Sequence, residues 1–116
     1  MRTVIIRANE PPHTMTPIER ARLALEGVAV GDTFGETFFG DTDQVIERIE
    51  KRELREPPWP YTDDTEMATS IFEMLAERGC IEQDDLALRF ARRMQPGRGY
   101  GHAAYGVRQR LRRDCT

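Results

Sequence analysis

The chain has 116 residues, of which 39% are hydrophobic and 32% charged, and its formal net charge is −3. This length suits one globular domain, and the slight acidic excess gives no reason to expect a nucleic-acid partner. We expect neither a membrane span nor a signal peptide, since no apolar run is long enough. Cys80 and Cys115 are too few for a disulfide framework, so we read them as reduced thiols in a cytoplasmic protein.

The first predicted helix follows a tail. Residues 1–15 are expected to be flexible because Pro11 and Pro12 interrupt regular structure, and only 3–6 resembles a short strand. Thr16 then offers a hydroxyl N-cap, followed by proline at the first helical position and a glutamate at the capping-box position. The glycine-flanked segment 31–35 predicts the end of this helix, and residues 38–40 continue the loop.

Four more helices are predicted along the chain. The second runs from about Thr42 to Arg55 and would bury Val45, Ile46, Ile49 and Leu54 before the proline-rich connector 57–60. The third is capped by Asp63 or Asp64, reaches Arg78 and stops at Gly79. The fourth opens at 83–85, and the last begins near Ala103 after the glycine-rich loop 96–101. The predicted fold class is all-α.

The acidic turn Thr62-Asp63-Asp64-Thr65-Glu66 has two interpretations. Adjacent carboxylates beside hydroxyls can supply several oxygen ligands to a hard cation such as Mg²⁺ or Mn²⁺. The same residue types are also the usual capping residues, because the start of a helix favours negative charge. The turn alone favours capping.

Three motifs in order change that weighting: G-D-T-F-G at 31–35, T-D-D-T-E-M at 62–67 and R-G-Y-G at 98–101. Together they resemble the ADP-ribosylglycohydrolase family from about Ile18 to about Leu111. The resemblance implies an ADP-ribosylglycohydrolase-like helical fold, present here over 16–116 as a partial domain. It also implies a two-metal centre of Mg²⁺ or Mn²⁺ that hydrolyses N- or O-glycosidic ADP-ribosyl bonds. The implied partner is an ADP-ribosylated protein or a small ADP-ribose derivative, and Thr62, Asp63 and Asp64 match the family's amino-terminal metal ligands.

The chain departs from the family pattern at two places. The family's second acidic cluster, of the form D-x-D-[ST], is absent; Asp41-Thr42-Asp43 has part of this form, but Gln44 follows it. We therefore expect a truncated amino-terminal part of the fold. Many members also carry a glutamate at the position that Phe39 occupies here. Glu36 is close enough to replace it as a catalytic carboxylate, and the alternative is a solvated loop residue.

Two further features are candidates for substrate binding, and each has a structural alternative. Asp32 either contributes to the site or orders its loop by accepting hydrogen bonds from backbone N–H groups. The loop 98–101 could wrap a phosphate, since glycines let N–H groups converge and an arginine adds a bidentate donor. Its alternative is a tight turn that requires positive φ. The substrate-binding candidates are Asp32, Arg98, Gly99, Tyr100 and Gly101.

Three functions stay open at this point. The family resemblance implies a metal-dependent ADP-ribosyl hydrolase. The missing acidic cluster supports a catalytically inactive truncated relative. A helical interaction module is the third, which would need a partner chain or self-association to complete its core; exposed Phe34, Phe38 and Phe39 would support it.

Overall fold

The computed structural model describes residues 14–114. This part of the chain consists of five α-helices and contains no strand: α1 (Pro17–Glu36), α2 (Thr42–Glu50), α3 (Asp63–Arg78), α4 (Gln83–Arg93) and α5 (His102–Asp114). The all-α prediction is confirmed for these residues. The predicted strand at 3–6 and most of the predicted tail, 1–13, lie outside the described residues.

Helix α1 begins as predicted and ends later than predicted. Glu19 N donates to Thr16 Oγ1 at 3.3 Å and Thr16 N donates to a Glu19 carboxylate oxygen at 2.7 Å, which completes a capping box. The predicted end at 31–35 was wrong, because the helix continues through both glycines to Glu36. Helical glycine costs about 1 kcal/mol relative to alanine, but packing of α1 on α3 decides the conformation here.

Helix α2 is shorter than predicted, since it ends at Glu50 and not near Arg55. Arg52 adopts a left-handed φ of 53°, and its N–H donates to the Ile49 carbonyl while that of Glu53 donates to the Arg48 carbonyl. This is a Schellman ending, and it was missed because glycine normally marks it. The predicted burial of the apolar side of α2 was also wrong, since Ile46, Ile49 and Leu54 are exposed.

The start of α3 is capped by Thr62, one residue earlier than predicted, and its end is as predicted. Thr62 has extended backbone and Asp63 is the first helical residue. Gly79 closes the helix at φ 72°, in the left-handed region that glycine adopts without strain.

The helices form a thin array in which α1 packs on α3, α3 on α4, and α4 on α5. Among the described residues only Met74, Ala91 and Met94 are buried hydrophobic residues, and the smallest dimension of this part of the chain is 17 Å. None of the described helices combines the length and apolarity needed to cross a bilayer. This arrangement leaves the amino-terminal end of α3 open beside the carboxyl-terminal half of α1.

Candidate functional site

An acidic cleft of about 530 Å³ lies where the end of α1, the start of α3 and the glycine-rich loop meet. Its lining residues are Gly31, Asp32, Gly35, Glu36, Phe39, Thr62, Asp63, Asp64 and Gly99. The structure therefore brings together most of the residues singled out in the sequence: the predicted metal ligands, the predicted catalytic carboxylate, and two of the substrate-binding candidates. No lysine, arginine or histidine lines this acidic cleft.

The continuation of α1 creates one wall of the acidic cleft. Asp32 and Glu36 are four residues apart in one helix, so both side chains lie on the same face. Gly31 and Gly35 line the acidic cleft beside them, and Phe39 follows with 72% of its surface exposed. If the sequence prediction had continued α1 through the glycines, the i, i+4 spacing would have placed the carboxylates of Asp32 and Glu36 on one face of the helix.

Asp32 is the centre of the hydrogen bonds that join α1 to α3. One carboxylate oxygen, Oδ2, accepts from Thr62 N at 2.8 Å, from Thr65 Oγ1 at 2.6 Å and from Thr65 N at 3.3 Å. The other, Oδ1, accepts from Thr62 Oγ1 at 2.5 Å. Partial burial raises the pKa of the Asp32 carboxyl, but the four hydrogen bonds outweigh it and lower the pKa below its ordinary value of 3.8. Asp32 is thus an ionised cap supplied to α3 by another helix.

Asp63 and Asp64 contrast with Asp32. Within residues 14–114 neither carboxylate accepts a hydrogen bond or forms an ion pair. Their backbone is held nevertheless, because Asp63 N donates to the Arg98 carbonyl at 2.7 Å and Asp64 N donates to Thr62 Oγ1 at 3.3 Å. The backbone of this turn is thus held by hydrogen bonds, while its two carboxylates have no hydrogen-bond or ion-pair partner among residues 14–114.

The loop 96–101 braces the acidic cleft. The Arg98 guanidinium stacks on the Tyr61 ring at 3.6 Å from its centroid, and its Nη1 donates to the Tyr61 carbonyl at 3.0 Å. Gly97 and Gly99 have φ of 90° and 94°, the geometry of a tight turn. At Gly99 an added Cβ would lie 3.7 Å from Asp63 Oδ1. Gly99 is the residue of this loop that lines the acidic cleft.

Tyr100 and Gly101 are not part of the acidic cleft lining. Tyr100 borders a separate apolar cavity between α3, α4 and α5, together with Phe90 and Val107. Burial, with the carboxylates of Glu66 and Asp63 nearby, raises the pKa of the Tyr100 hydroxyl to about 12. Substrate binding by these two residues stays a prediction.

Two supporting residues were missed in the sequence, although both belong to the acidic turn. Thr65 is buried and donates twice to Asp32. Glu66 is 3% exposed, and its Oε1 accepts a hydrogen bond from Gln95 N at 2.9 Å. This bond connects the residue before the glycine-rich loop to α3. The sequence offered only their position after two aspartates, because their partners are about 30 residues distant in the chain.

Divalent-metal binding can be tested against this set of donors. Thr62, Asp63 and Asp64 offer one hydroxyl and two carboxylates, all oxygen ligands of the kind that Mg²⁺ and Mn²⁺ take. Within the part of the chain that the structure describes, no group of three or more histidine, cysteine, aspartate or glutamate side chains could hold an ion. These residues fit a divalent cation in the kind of donor they offer, and the described residues by themselves do not form a complete set of ligands.

Comparison with known proteins gives the family. The sequence model of the family described as ADP-ribosylglycohydrolase matches residues 13–115. The chain is 34% identical over 103 residues to ADP-ribosylhydrolase ARH3 of Xenopus tropicalis, in an alignment covering 81% of this chain and 29% of that protein. The same protein of Danio rerio is 34% identical over 103 residues, with 81% and 28% covered. For that of Homo sapiens the identity is 29% over 109 residues, with 81% and 30% covered. No solved structure matches the chain.

The chain thus spans less than a third of the length of these relatives. Its five helices are consistent with the helical fold of the family. Because the family match covers nearly all of the chain and includes the entire acidic cleft, this chain belongs to the ADP-ribosylglycohydrolase family.

Proposed function

We propose that the acidic cleft is one side of a divalent-metal centre, for Mg²⁺ or Mn²⁺, that hydrolyses ADP-ribosyl bonds of N- or O-glycosidic type. The observation that carries the proposal is the pair of carboxylates, Asp63 and Asp64, that no described side chain neutralises. Thr62, Asp63 and Asp64 would hold the ion. When bound, a divalent cation orients substrate oxygens, lowers the pKa of a water and offsets developing negative charge.

The residues of this chain have separable tasks in that reaction. Asp63 and Asp64 supply negative charge at a fixed backbone position, since the Arg98 carbonyl and Thr62 Oγ1 anchor their N–H groups. Glu36 lines the acidic cleft from the last turn of α1 and forms no hydrogen bond or ion pair through its side chain within residues 14–114. A carboxylate of this kind can accept a proton from an attacking water or return it to a leaving group.

The substrate proposed is an ADP-ribosylated protein or a small ADP-ribose derivative. The relatives named above are ADP-ribosylhydrolases, and the acidic cleft is open enough to admit part of such a molecule. The chain covers less than a third of those relatives, so the remaining ligands and the rest of the substrate pocket would come from further polypeptide.

A thermal-shift experiment tests the metal centre. At ten times the dissociation constant, a cation that binds only the folded state adds about 1.4 kcal/mol of stability. We expect Mn²⁺ to raise the melting temperature of the chain, and we expect the rise to vanish in Asp63→Asn with Asp64→Asn. Equal melting curves with and without Mn²⁺ for the unmodified chain would overturn the metal centre.

The chain provides a matched control for this experiment. Asp84 and Asp85 form a second pair of adjacent aspartates in the first turn of a helix, α4, and Asp85 is paired with Arg78 and Arg89. Asp84→Asn with Asp85→Asn should lower the melting temperature and leave the rise with Mn²⁺ intact. The release of ADP-ribose from an ADP-ribosylated peptide then separates a hydrolase from a metal-binding relative that catalyses nothing.

A second function is favoured by the exposed apolar side chains of α1 and α3. Helix α1 contains no buried residue in its 20 positions, and the groove that it forms with α3 is lined only by apolar side chains. Those residues are Ala21, Ala24, Leu25, Val28, Ala68, Ile71, Phe72 and Leu75. We propose that this groove receives apolar helices of further polypeptide of the same family fold, so that the chain is an interaction module.

Sedimentation velocity tests the interaction module. An uncovered apolar groove should produce self-association that increases with protein concentration, and Val28→Glu with Ile71→Glu should abolish it, since both side chains are about 40% exposed. A sharp monomer boundary at every concentration, without binding of a hydrophobic dye, would argue against this function. The outcome is independent of Mn²⁺, so the two functions are tested separately.

A further inference from the structure

The hydrogen bond between Thr62 and Asp32 determines what the Thr62 oxygen can bind. A threonine hydroxyl has one proton and two lone pairs. The proton of Thr62 Oγ1 is donated to Asp32 Oδ1 at 2.5 Å, and one lone pair accepts from Asp64 N at 3.3 Å. One lone pair is left over, on an oxygen that belongs to the lining of the acidic cleft.

The direction of this bond is fixed by the remaining contacts of Asp32. Its Oδ2 atom accepts from the backbone N–H groups of Thr62 and Thr65, which cannot turn away, and from the Thr65 hydroxyl. The carboxylate is therefore held in one orientation. An ionised carboxylate only accepts hydrogen bonds, so the hydroxyl of Thr62 must donate to Asp32.

We propose that Asp32 is a positioning residue that makes Thr62 a metal ligand, by holding the Thr62 proton so that an oxygen lone pair stays available to a divalent cation. This inference rests on the metal centre proposed above and adds a role that Asp32 performs without touching the ion. The sequence had suggested that Asp32 binds substrate or orders its own loop. In the structure, its hydrogen bonds instead reach from α1 to the first turn of α3.

The conservative substitution Asp32→Asn keeps the shape of the side chain but reverses which group donates in its hydrogen bond with the Thr62 hydroxyl. The amide oxygen of the new side chain would have to occupy the position of Asp32 Oδ2, where the backbone N–H groups of Thr62 and Thr65 require an acceptor. The amide nitrogen would then face Thr62 Oγ1 and donate to it. With a second acceptance from Asp64 N, both lone pairs of Thr62 would be occupied and its proton would be left for the acidic cleft. The side chain keeps its size while the hydroxyl loses its capacity to bind a cation.

Binding of Mn²⁺ to the full chain, followed by electron paramagnetic resonance of free Mn²⁺, tests this role without any measure of catalysis. Residues that orient a metal ligand typically contribute about 10- to 100-fold in metal affinity. We expect a loss in this range for Asp32→Asn and for Thr62→Val. We also expect the double variant to bind no more weakly than Thr62→Val alone, because both changes act through the same lone pair.

The double variant distinguishes positioning from simple loss of charge. Asp32→Asn also removes one negative charge near the cation, and that effect would persist when the Thr62 hydroxyl is absent. Losses that multiply in the double variant would therefore overturn the positioning role. So would an Asp32→Asn variant that binds Mn²⁺ as tightly as the unmodified chain.

Thr65→Val is the structural control. It removes one hydrogen bond to the same carboxylate and leaves the Thr62 hydroxyl untouched, so it should lower the melting temperature and keep its affinity for Mn²⁺. A loss of affinity equal to that of Asp32→Asn would assign the effect to general damage of the α1–α3 contact and refute positioning. An unmodified chain that does not bind Mn²⁺ at all would refute the metal centre itself, which is a different result from either.

Discussion

Removal of the Asp32 carboxylate should destabilise the chain far more than removal of an ordinary helix cap. Asp32→Ala deletes four hydrogen bonds to one charged acceptor. Bonds to charged groups contribute about 1.5–3 kcal/mol each, and a buried donor left without a partner costs about 1–3 kcal/mol. Thr65 is buried, so its two donors are poorly replaced by water, whereas Thr62 is half-buried and recovers part of its loss. Because only the two Thr65 donors lose their partner without replacement by water, at roughly 1–3 kcal/mol each, we expect the free energy of unfolding to fall by about 3 kcal/mol.

Urea unfolding followed by circular dichroism at 222 nm measures this loss. For a slope of about 2 kcal/mol per molar urea, 3 kcal/mol lowers the midpoint by about 1.5 M. Asp41→Ala is the matched control, since Asp41 caps α2 through one bond, from Gln44 N at 3.1 Å. A single cap contributes about 1 kcal/mol. If the two alanine variants unfold at the same urea concentration, the reasoning about Asp32 is refuted.

Three further predictions concern pH, backbone strain and the core. The folded-state pKa of Asp32 is lowered from its ordinary value of 3.8. Its contribution to stability is therefore complete above the unfolded-state pKa and is lost as the pH falls through the folded-state pKa. The difference in urea midpoint between the unmodified chain and Asp32→Ala should shrink as the pH is lowered below 3.8, and an unchanged difference would contradict this. Arg52→Gly should raise the free energy of unfolding by about 0.5–1 kcal/mol because it removes left-handed strain at φ 53°, and slower amide exchange in α2 would show it. Met74→Ala should lower the free energy of unfolding by about 2–5 kcal/mol, since Met74 is fully buried, and Ile71→Ala, at 38% exposure, should lower it by much less in the same urea titration.

The ends of the helices show which structural information is local. The capping box at Thr16 and the left-handed Gly79 were predictable because each signal and its hydrogen bonds lie within a few residues. The end of α2 was not, since Arg52 occupies a left-handed position that glycine usually marks. The course of α1 through Gly31 and Gly35 depends on its packing against α3, which no local pattern contains.

The residues of the site likewise divide into those that a local sequence pattern predicts and those that it does not. The acidic turn could be recognised in the sequence because Thr62, Asp63 and Asp64 are adjacent. The role of Asp32 as a cap for α3 could not, because it joins positions 30 and 33 residues apart. Its chemistry had been anticipated, namely a carboxylate that accepts from backbone N–H groups, but the N–H groups belong to another helix.

The distribution of unpaired charge along α3 supports a functional interpretation of its first turn. In the carboxyl-terminal half of the helix the acidic side chains are paired across the α3–α4 contact: Glu73 with Arg93 and Glu77 with Arg89. In the first turn Asp63 and Asp64 have no such partner among residues 14–114, although arginine is the commonest basic residue of the chain. The positive end of the helix offsets only about half a charge. The N–H groups of residues 63–66 already have acceptors, which belong to Arg98, Thr62 and Asp32. The carboxylates of Asp63 and Asp64 are therefore not needed as caps, which supports the divalent-metal centre proposed above.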